Sequence, residues 1–278
     1  MPDPIPPVFL ATAVEAVIRA GDLQIARVGE AKRIEKKGLI DLVTETDREI
    51  ERDFRRVIEQ RFPGHEVLGE EFSAASERER VPEFCWLFDP IDGTTNFAHG
   101  LPIFCSSLAL EINGEAVVAA VYDPNRRELF TAERGAGAWM NGMPIRVTTE
   151  ARLIDSLLCT GFPYHVQQKP DELVGLFSHF LGISRAVRRL GSAAIDLCYV
   201  AAGRLDGFWE MHLGPWDIAA GALMVRESGG RISDFRGRTT GPMDARGVAP
   251  RTLLAGNIKV ADALQQKIIN TGYASAFD

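Results

Sequence analysis

Apolar residues recur at helical spacing near the start of the chain. Val14, Val17, Ile18, Ile25 and Val28 share a face, predicting a helix from about Pro7 to Glu30 despite Gly21. Ile50, Phe54, Val57 and Ile58 predict a second helix, with Thr44 or Thr46 available as N-cap and Pro63-Gly64 as the stop. Between about Glu66 and Glu150 the texture changes to short β-like runs: VLGEE, CWLFD, FCSSLALEI, AVVAAVYD, ELFTAE and IRVT, separated by Gly, Asn and Pro turns. This predicts a largely antiparallel sheet backed by the two helices.

After about Ala151 the pattern alternates. Strands LLCTG, ISRAVRRL, DGFWEM, RISD and TLLAG are interspersed with helices near Pro170–Leu181, Ser192–Ala202, Asp217–Glu227 and Val260–Ile269. Alternation argues for an α/β second half. The expected organisation is therefore an α+β domain over 1–150 and an α/β domain over 151–278, with Gly237–Pro250 as a mobile loop. The length of 278 residues suits one large domain or two tightly joined ones.

Charge narrows the partners. Thirty-one Lys plus Arg against 38 Asp plus Glu gives a net charge of −7, which opposes broad attraction to extended nucleic acid or anionic membranes. Cys85, Cys105, Cys159 and Cys198 form no C-x-x-C pair, as expected of reduced thiols in a cytoplasmic protein. The first residues carry Glu15 within the apolar stretch and no basic segment before it, unlike a signal peptide. No run approaches the ~18 apolar residues of a membrane helix.

The most informative segment is WLFDPIDGTTNF, residues 86–97. Pro90 removes a ladder donor, so the strand is expected to end at Asp89. In a continuing strand Asp89 and Asp92 would face opposite ways; in a turn they converge. Two converging carboxylates repel unless a cation separates them, which suggests a hard, oxygen-liganded metal such as Mg²⁺. Gly93 permits close approach, and Thr94-Thr95-Asn96 open a helix whose free N–H groups suit phosphate. Together these are ingredients of metal-assisted phosphoryl hydrolysis. An Asp-Pro turn followed by an ordinary helix cap uses the same residues.

Other acids stand at element ends. Glu70 and Glu71 close an apolar strand, Asp47 falls in the first turn of the second helix, and Asp217 opens a later one. Each also suits a helix N-terminus or a solvated strand end. Cys198 and Arg204 match the C-x₅-R spacing of cysteine phosphatases, but the intervening residues read as helix rather than a phosphate cradle. The five histidines show no metal-ligand spacing, and neither a G-x-S-x-G elbow nor a P-loop is present.

Five segments, LVTETD (42–47), GEE (69–71), WLFDPIDGTTNF (86–97), RRLGSAAIDLCYVAAGRLDGFWE (188–210) and PWDIAAGALMVRESGG (215–230), together resemble the inositol monophosphatase family of Mg²⁺-dependent, lithium-sensitive phosphatases. The resemblance runs in order from about Lys36 to Asn257. Its DPIDGT core is shared by a wider superfamily, while TNF points to the inositol monophosphatase branch. The resemblance implies a layered αβαβα sandwich of the inositol monophosphatase and fructose-1,6-bisphosphatase type, a homodimer, and hydrolysis of inositol 1-phosphate.

It further implies that Glu70, Asp89 and the Ile91 carbonyl hold one Mg²⁺, that Asp89, Asp92 and Asp217 hold a second, and that Glu70 assists a weaker third. Asp47 and Thr94 would orient and deprotonate the attacking water, with Gly93 and Thr94 N–H groups on the phosphate. Asp92, Gly191, Ser192, Ala193, Glu210 and Asp217 match the inositol pocket. Ser192 also suits a helix N-cap. Lys36 matches a mobile-loop lysine, with Lys37 and Gly38 leaving the register open. Two or three Mg²⁺ would bring about +4 to +6, offsetting much of the local acid charge. Fructose 1,6-bisphosphate is the main competing substrate, because Arg188 and Arg189, or Arg185 from a neighbouring chain, could reach a second phosphate; a structural or dimer-interface role accounts for the same arginines. A regulatory, partner-binding protein that keeps the fold is a further alternative.

Overall fold

The computed structural model describes residues 5–29, 34–36, 42–72, 81–163, 170–239 and 251–273. Helix α1 (Pro7–Arg27) is followed by a two-stranded ribbon, β1 (Ile34–Lys36) and β2 (Leu42–Thr44), and by α2 (Glu45–Arg61). A seven-stranded sheet comes next: β3 (Glu66–Gly69), β4 (Phe84–Asp92), β5 (Cys105–Ile112), β6 (Glu115–Asp123), β7 (Glu128–Glu133), β8 (Gly137–Met140) and β9 (Met143–Pro144), in that spatial order. The short helix α3 (Thr94–Ala98) interrupts it after β4. The remainder comprises β10 (Leu157–Thr160), α4 (Pro170–Ile183), β11 (Ala186–Arg188), α5 (Ala193–Ala201), β12 (Gly207–Met211), α6 (Pro215–Glu227), β13 (Arg231–Ser233), β14 (Thr252–Gly256) and α7 (Ile258–Asn270). Its strands form a five-stranded sheet ordered β11-β10-β12-β14-β13.

Period-two alternation along the strands distributes the core between layers. On one face of the large sheet, Trp86, Phe88, Leu108 and Leu110 pack under Phe9, Ala13 and Val17 of α1 and Ile50, Phe54 and Ile58 of α2. Leu87 and Ala109 point the other way, onto α5 and α6, whose Leu197, Ala219 and Leu223 also meet Phe208 and Ala255 of the second sheet. The outer face of that sheet buries Leu158, Trp209 and Leu254 under α4 and α7. The layers thus run helices, sheet, helices, sheet, helices, the αβαβα sandwich that the family resemblance implies.

Several local expectations are corrected. The large sheet is mainly antiparallel, as expected, with β3 running parallel to β4 as its exception. β8 and β9 extend the sheet where IRVT was expected to be a strand. Residues 145–148 lack a ladder because Ile145 N–H donates to Ala138 and Val147 N–H to Ser228, on different elements. β4 does not stop at Asp89. It continues to Asp92 through a register shift against β5, and this bulge accommodates Pro90. Most of the Gly237–Pro250 loop, residues 240–250, lies outside the described residues, as do Lys37 and Gly38.

Candidate metal centre and active site

The bulge at the end of β4 creates the site. Because the register shifts between Asp89 and Asp92, the odd spacing no longer separates their carboxylates. Asp217 joins them from the first turn of α6, where its Oδ2 accepts the Gly214 N–H at 2.7 Å. Ligand oxygens of Asp89, Asp92 and Asp217 all lie within 4.8 Å of one another. They line a cavity of about 370 Å³ together with Glu70, Ile91, Gly93, Thr94, Gly191, Ser192, Ala193 and Glu210.

Each acid is held by local structure. Asp89 Oδ1 accepts the Ile91 N–H at 2.9 Å across the bulge. Asp92 accepts the Ser192 hydroxyl at 2.7 Å and the N–H groups of Ala193 at 3.3 Å and Ala194 at 2.6 Å. It therefore sits on the N-terminus of α5, where helix N–H groups favour an anion. Ser192 is at the N-cap, as expected, but its hydroxyl binds Asp92 instead of its own helix. Gly93 has φ of 99°, and a Cβ there would stand 2.9 Å from the Ile103 carbonyl oxygen. A side chain at 93 is excluded both sterically and conformationally.

Asp47 stands behind this wall. As the third residue of α2 it accepts the Thr44 N–H at 2.8 Å and the Thr44 hydroxyl, and its other oxygen lies 3.3 Å from the Thr94 hydroxyl. Thr94 also reaches the Ile91 carbonyl at 3.0 Å, so two acceptors compete for one proton. Lys36 lies in β1, but its side chain is outside what is described.

The electrostatics call for a cation. Burial, reinforced by Glu70, Asp92 and Asp217, holds Asp89 well above the ordinary carboxylate range. Asp217 is raised by burial and by Asp92 and Glu70. Asp92 is raised by burial against the pull of its hydrogen bonds. Asp47 is pushed up to about 6, chiefly by burial. Glu210 is raised by burial, Asp196 and Asp92, while Arg189 opposes the shift. All-oxygen donors that repel one another when empty fit a hard metal ion.

The inositol monophosphatase family model matches residues 7–277. The chain belongs to that family. An inositol-1-monophosphatase of Synechocystis sp. is 42% identical over 264 residues, covering 95% of this chain and 89% of the relative. Nus factor SuhB of Escherichia coli K12 is 41% identical over 259 residues, covering 92% and 94%. The fold is similar to that of the Thermotoga maritima IMPase, with a TM-score of 0.85 and 34% identity over 98% of this chain and all of the other. Membership of the inositol monophosphatase family makes the chain a metal-dependent phosphatase.

Two inositol monophosphatase site neighbours were missed in the sequence. Glu51, one helical turn after Asp47, is a fully buried acid on the apolar face of α2; a charge at that register was the available signal. Cys105 read only as a core thiol, yet its Sγ stands 3.8 Å from Asp92 Oδ2 and 3.6 Å from the Ser192 hydroxyl. The cysteine-phosphatase motif is set aside: Cys198 is buried inside α5 with its thiol pushed up by burial, and Arg204 pairs with Glu128 at 2.6 and 2.7 Å.

Proposed function

We propose that the chain hydrolyses inositol 1-phosphate to myo-inositol and inorganic phosphate with Mg²⁺ as cofactor. The observation that carries this reading is the convergence of Asp89, Asp92 and Asp217 beside the Gly93–Thr94 backbone. Glu70, Asp89 and the Ile91 carbonyl would hold one ion, Asp89, Asp92 and Asp217 a second, and Glu70 would contribute to a third. Bound Mg²⁺ supplies charge neutralisation at the phosphate and acidifies water. Thr94, backed by Asp47, orients the attacking water and accepts its proton toward the carboxylate. The Gly93 and Thr94 N–H groups hold the phosphate, and Glu210 accepts hydrogen bonds from the polyol with Asp92, Gly191, Ser192 and Ala193 around it. In this reading 1–150 supplies most of the metal ligands, 151–278 supplies the substrate wall and Asp217, and Lys36 serves the catalytic loop.

A homodimer and a cytoplasmic location complete the proposal. Four buried thiols suit a reducing compartment. Fructose 1,6-bisphosphate is a second substrate reading, favoured by Arg189, which lines the cavity. A regulatory role is suggested by relatives named Nus factor SuhB. Phosphate release by the purified chain from inositol 1-phosphate, fructose 1,6-bisphosphate, histidinol phosphate and adenosine 3′,5′-bisphosphate, with and without Mg²⁺, separates these readings. The proposal expects inositol 1-phosphate to have the highest kcat/KM; a comparable value for fructose 1,6-bisphosphate overturns a strict monophosphate specificity.

A further inference from the structure

Glu51 is a carboxylate with no solvent exposure, on the buried face of α2 beside Ile50, Phe54 and the equally buried Asp47. A buried charge is costly unless it is paired and hydrogen-bonded. Its partners are specific. Glu51 Oε1 takes the Arg55 guanidinium at 2.7 and 2.9 Å, and Arg55 in turn donates to the Val67 carbonyl of β3 at 3.1 Å. Glu51 Oε2 accepts the Glu71 N–H at 2.7 Å. The carboxylate also occupies the space beside Gly69, where a Cβ would stand 2.3 Å from it. The end of β3 and the turn after it, from Val67 to Glu71, are thus pinned to α2 through Glu51 and its partner Arg55.

Glu70 lies inside that pinned segment and lines the acidic cavity, its N–H directed to the Phe88 carbonyl at 3.3 Å. Asp47 and Glu51 are four residues apart, hence neighbours on one helix face. One turn of α2 therefore braces both the Thr94 hydroxyl, through Asp47, and the Glu70 backbone, through Glu51.

We propose that Glu51 is a positioning residue for the metal centre, fixing the Gly69–Glu71 turn so that Glu70 is presented to the cation. It touches neither substrate nor metal. The inference rests on the metal-site reading above.

Calorimetric titration of the metal-free full chain with MgCl₂, without substrate, tests it on Glu51→Ala, Glu51→Gln, Glu70→Gln and, as a control on the exposed face of α2, Glu59→Gln. Groups that orient metal ligands typically contribute about 10–100-fold to metal affinity, so Glu51→Ala is expected to weaken Mg²⁺ binding by about that factor. Glu51→Gln, which keeps an oxygen for the Glu71 N–H, recovers part of the loss, and Glu59→Gln binds as the native chain does. In turnover, the Glu51 variants shift the Mg²⁺ concentration for half-activation more than kcat at saturating Mg²⁺. If Glu70→Gln weakens binding while both Glu51 variants bind Mg²⁺ normally, the positioning role is overturned. If Glu51→Ala does not fold, native-like affinity in Glu51→Gln is the overturning result. If Glu70→Gln itself binds normally, the metal-site reading falls, and this inference with it.

Discussion

Asp47 Oδ1 lies 3.3 Å from the Thr94 hydroxyl, joining the first turn of α2 to the first residue of α3 across the end of β4. The same Asp47 caps α2 through its other oxygen, so its position is set by the helix that carries it. In the proposed mechanism, Thr94→Ala and Asp47→Asn each remove the proton path from water to carboxylate. Positioned proton transfer contributes about 10²–10⁴-fold, so kcat should fall by that order with inositol 1-phosphate at saturating Mg²⁺. Steady-state kinetics with little change in KM would agree with the role; a few-fold loss of kcat would not.

Asp47 also leaves a pH signature on stability. Its pKa is about 6 folded, raised chiefly by burial from an ordinary 3.8. Between about pH 4 and 6 the folded chain therefore binds more protons than the unfolded chain, and this group lowers stability as pH rises through that window. The difference of about two pH units corresponds to up to about 3 kcal/mol. Thermal unfolding of the metal-free chain from pH 4 to 7 should show a smaller pH-dependent decline in Asp47→Asn than in the native protein.

Asp217→Asn separates the cost of the acid cluster from its use. Asparagine keeps an oxygen for the Gly214 N–H while removing one repelling charge. The metal-free variant should unfold at a higher temperature, by about 2–4 °C per kcal/mol relieved. Native protein at 100 times its Kd for Mg²⁺ should gain about 2.7 kcal/mol, and the variant should lose most of that gain. Scanning calorimetry with and without Mg²⁺ reads both effects.

Gly93→Ala tests the turn at the mouth of the cavity. With φ of 99° and the Ile103 carbonyl in the path of a Cβ, alanine must strain or displace the backbone. A strained non-glycine residue costs about 1–3 kcal/mol, and the displaced N–H groups should raise KM as well as lower kcat. Urea unfolding together with kinetics checks the pair of effects.

Ser192→Ala removes a 2.7 Å bond to a buried, ionisable partner. Hydrogen bonds to charged groups contribute about 1.5–3 kcal/mol. The loss should appear in urea unfolding of the Mg²⁺-bound chain, because bound cation keeps Asp92 ionised.

The amphipathic faces of α1 and α2 were legible because their packing is local and periodic, and Asp47 stood out as an acid in a first helical turn. The strand-ending role assigned to Pro90 failed because a bulge absorbs a residue without an N–H as well as a turn does. That bulge makes Asp89 and Asp92 converge, and it depends on pairing with β5, residues away in sequence. The capping of α5 by Asp92 spans about a hundred residues and leaves no local trace. Glu51 was half legible: its place on the register of Ile50 and Phe54 marks it as a buried acid, but its partners beyond the helix, at the end of β3, leave no trace in the helix sequence. The parallel entry of β3 was equally invisible, since four residues carry no sense of direction.

The most direct measurement is the rate of phosphate release from inositol 1-phosphate as a function of Mg²⁺, for the native chain and for Asp89→Asn. Activity should be negligible without Mg²⁺, rise saturably with it, and fall by at least about 10²-fold in the variant, as expected when a metal ligand and its charge are lost. Turnover that is independent of divalent metal, or near-native activity in Asp89→Asn, would contradict a metal-dependent phosphatase centred on these three carboxylates.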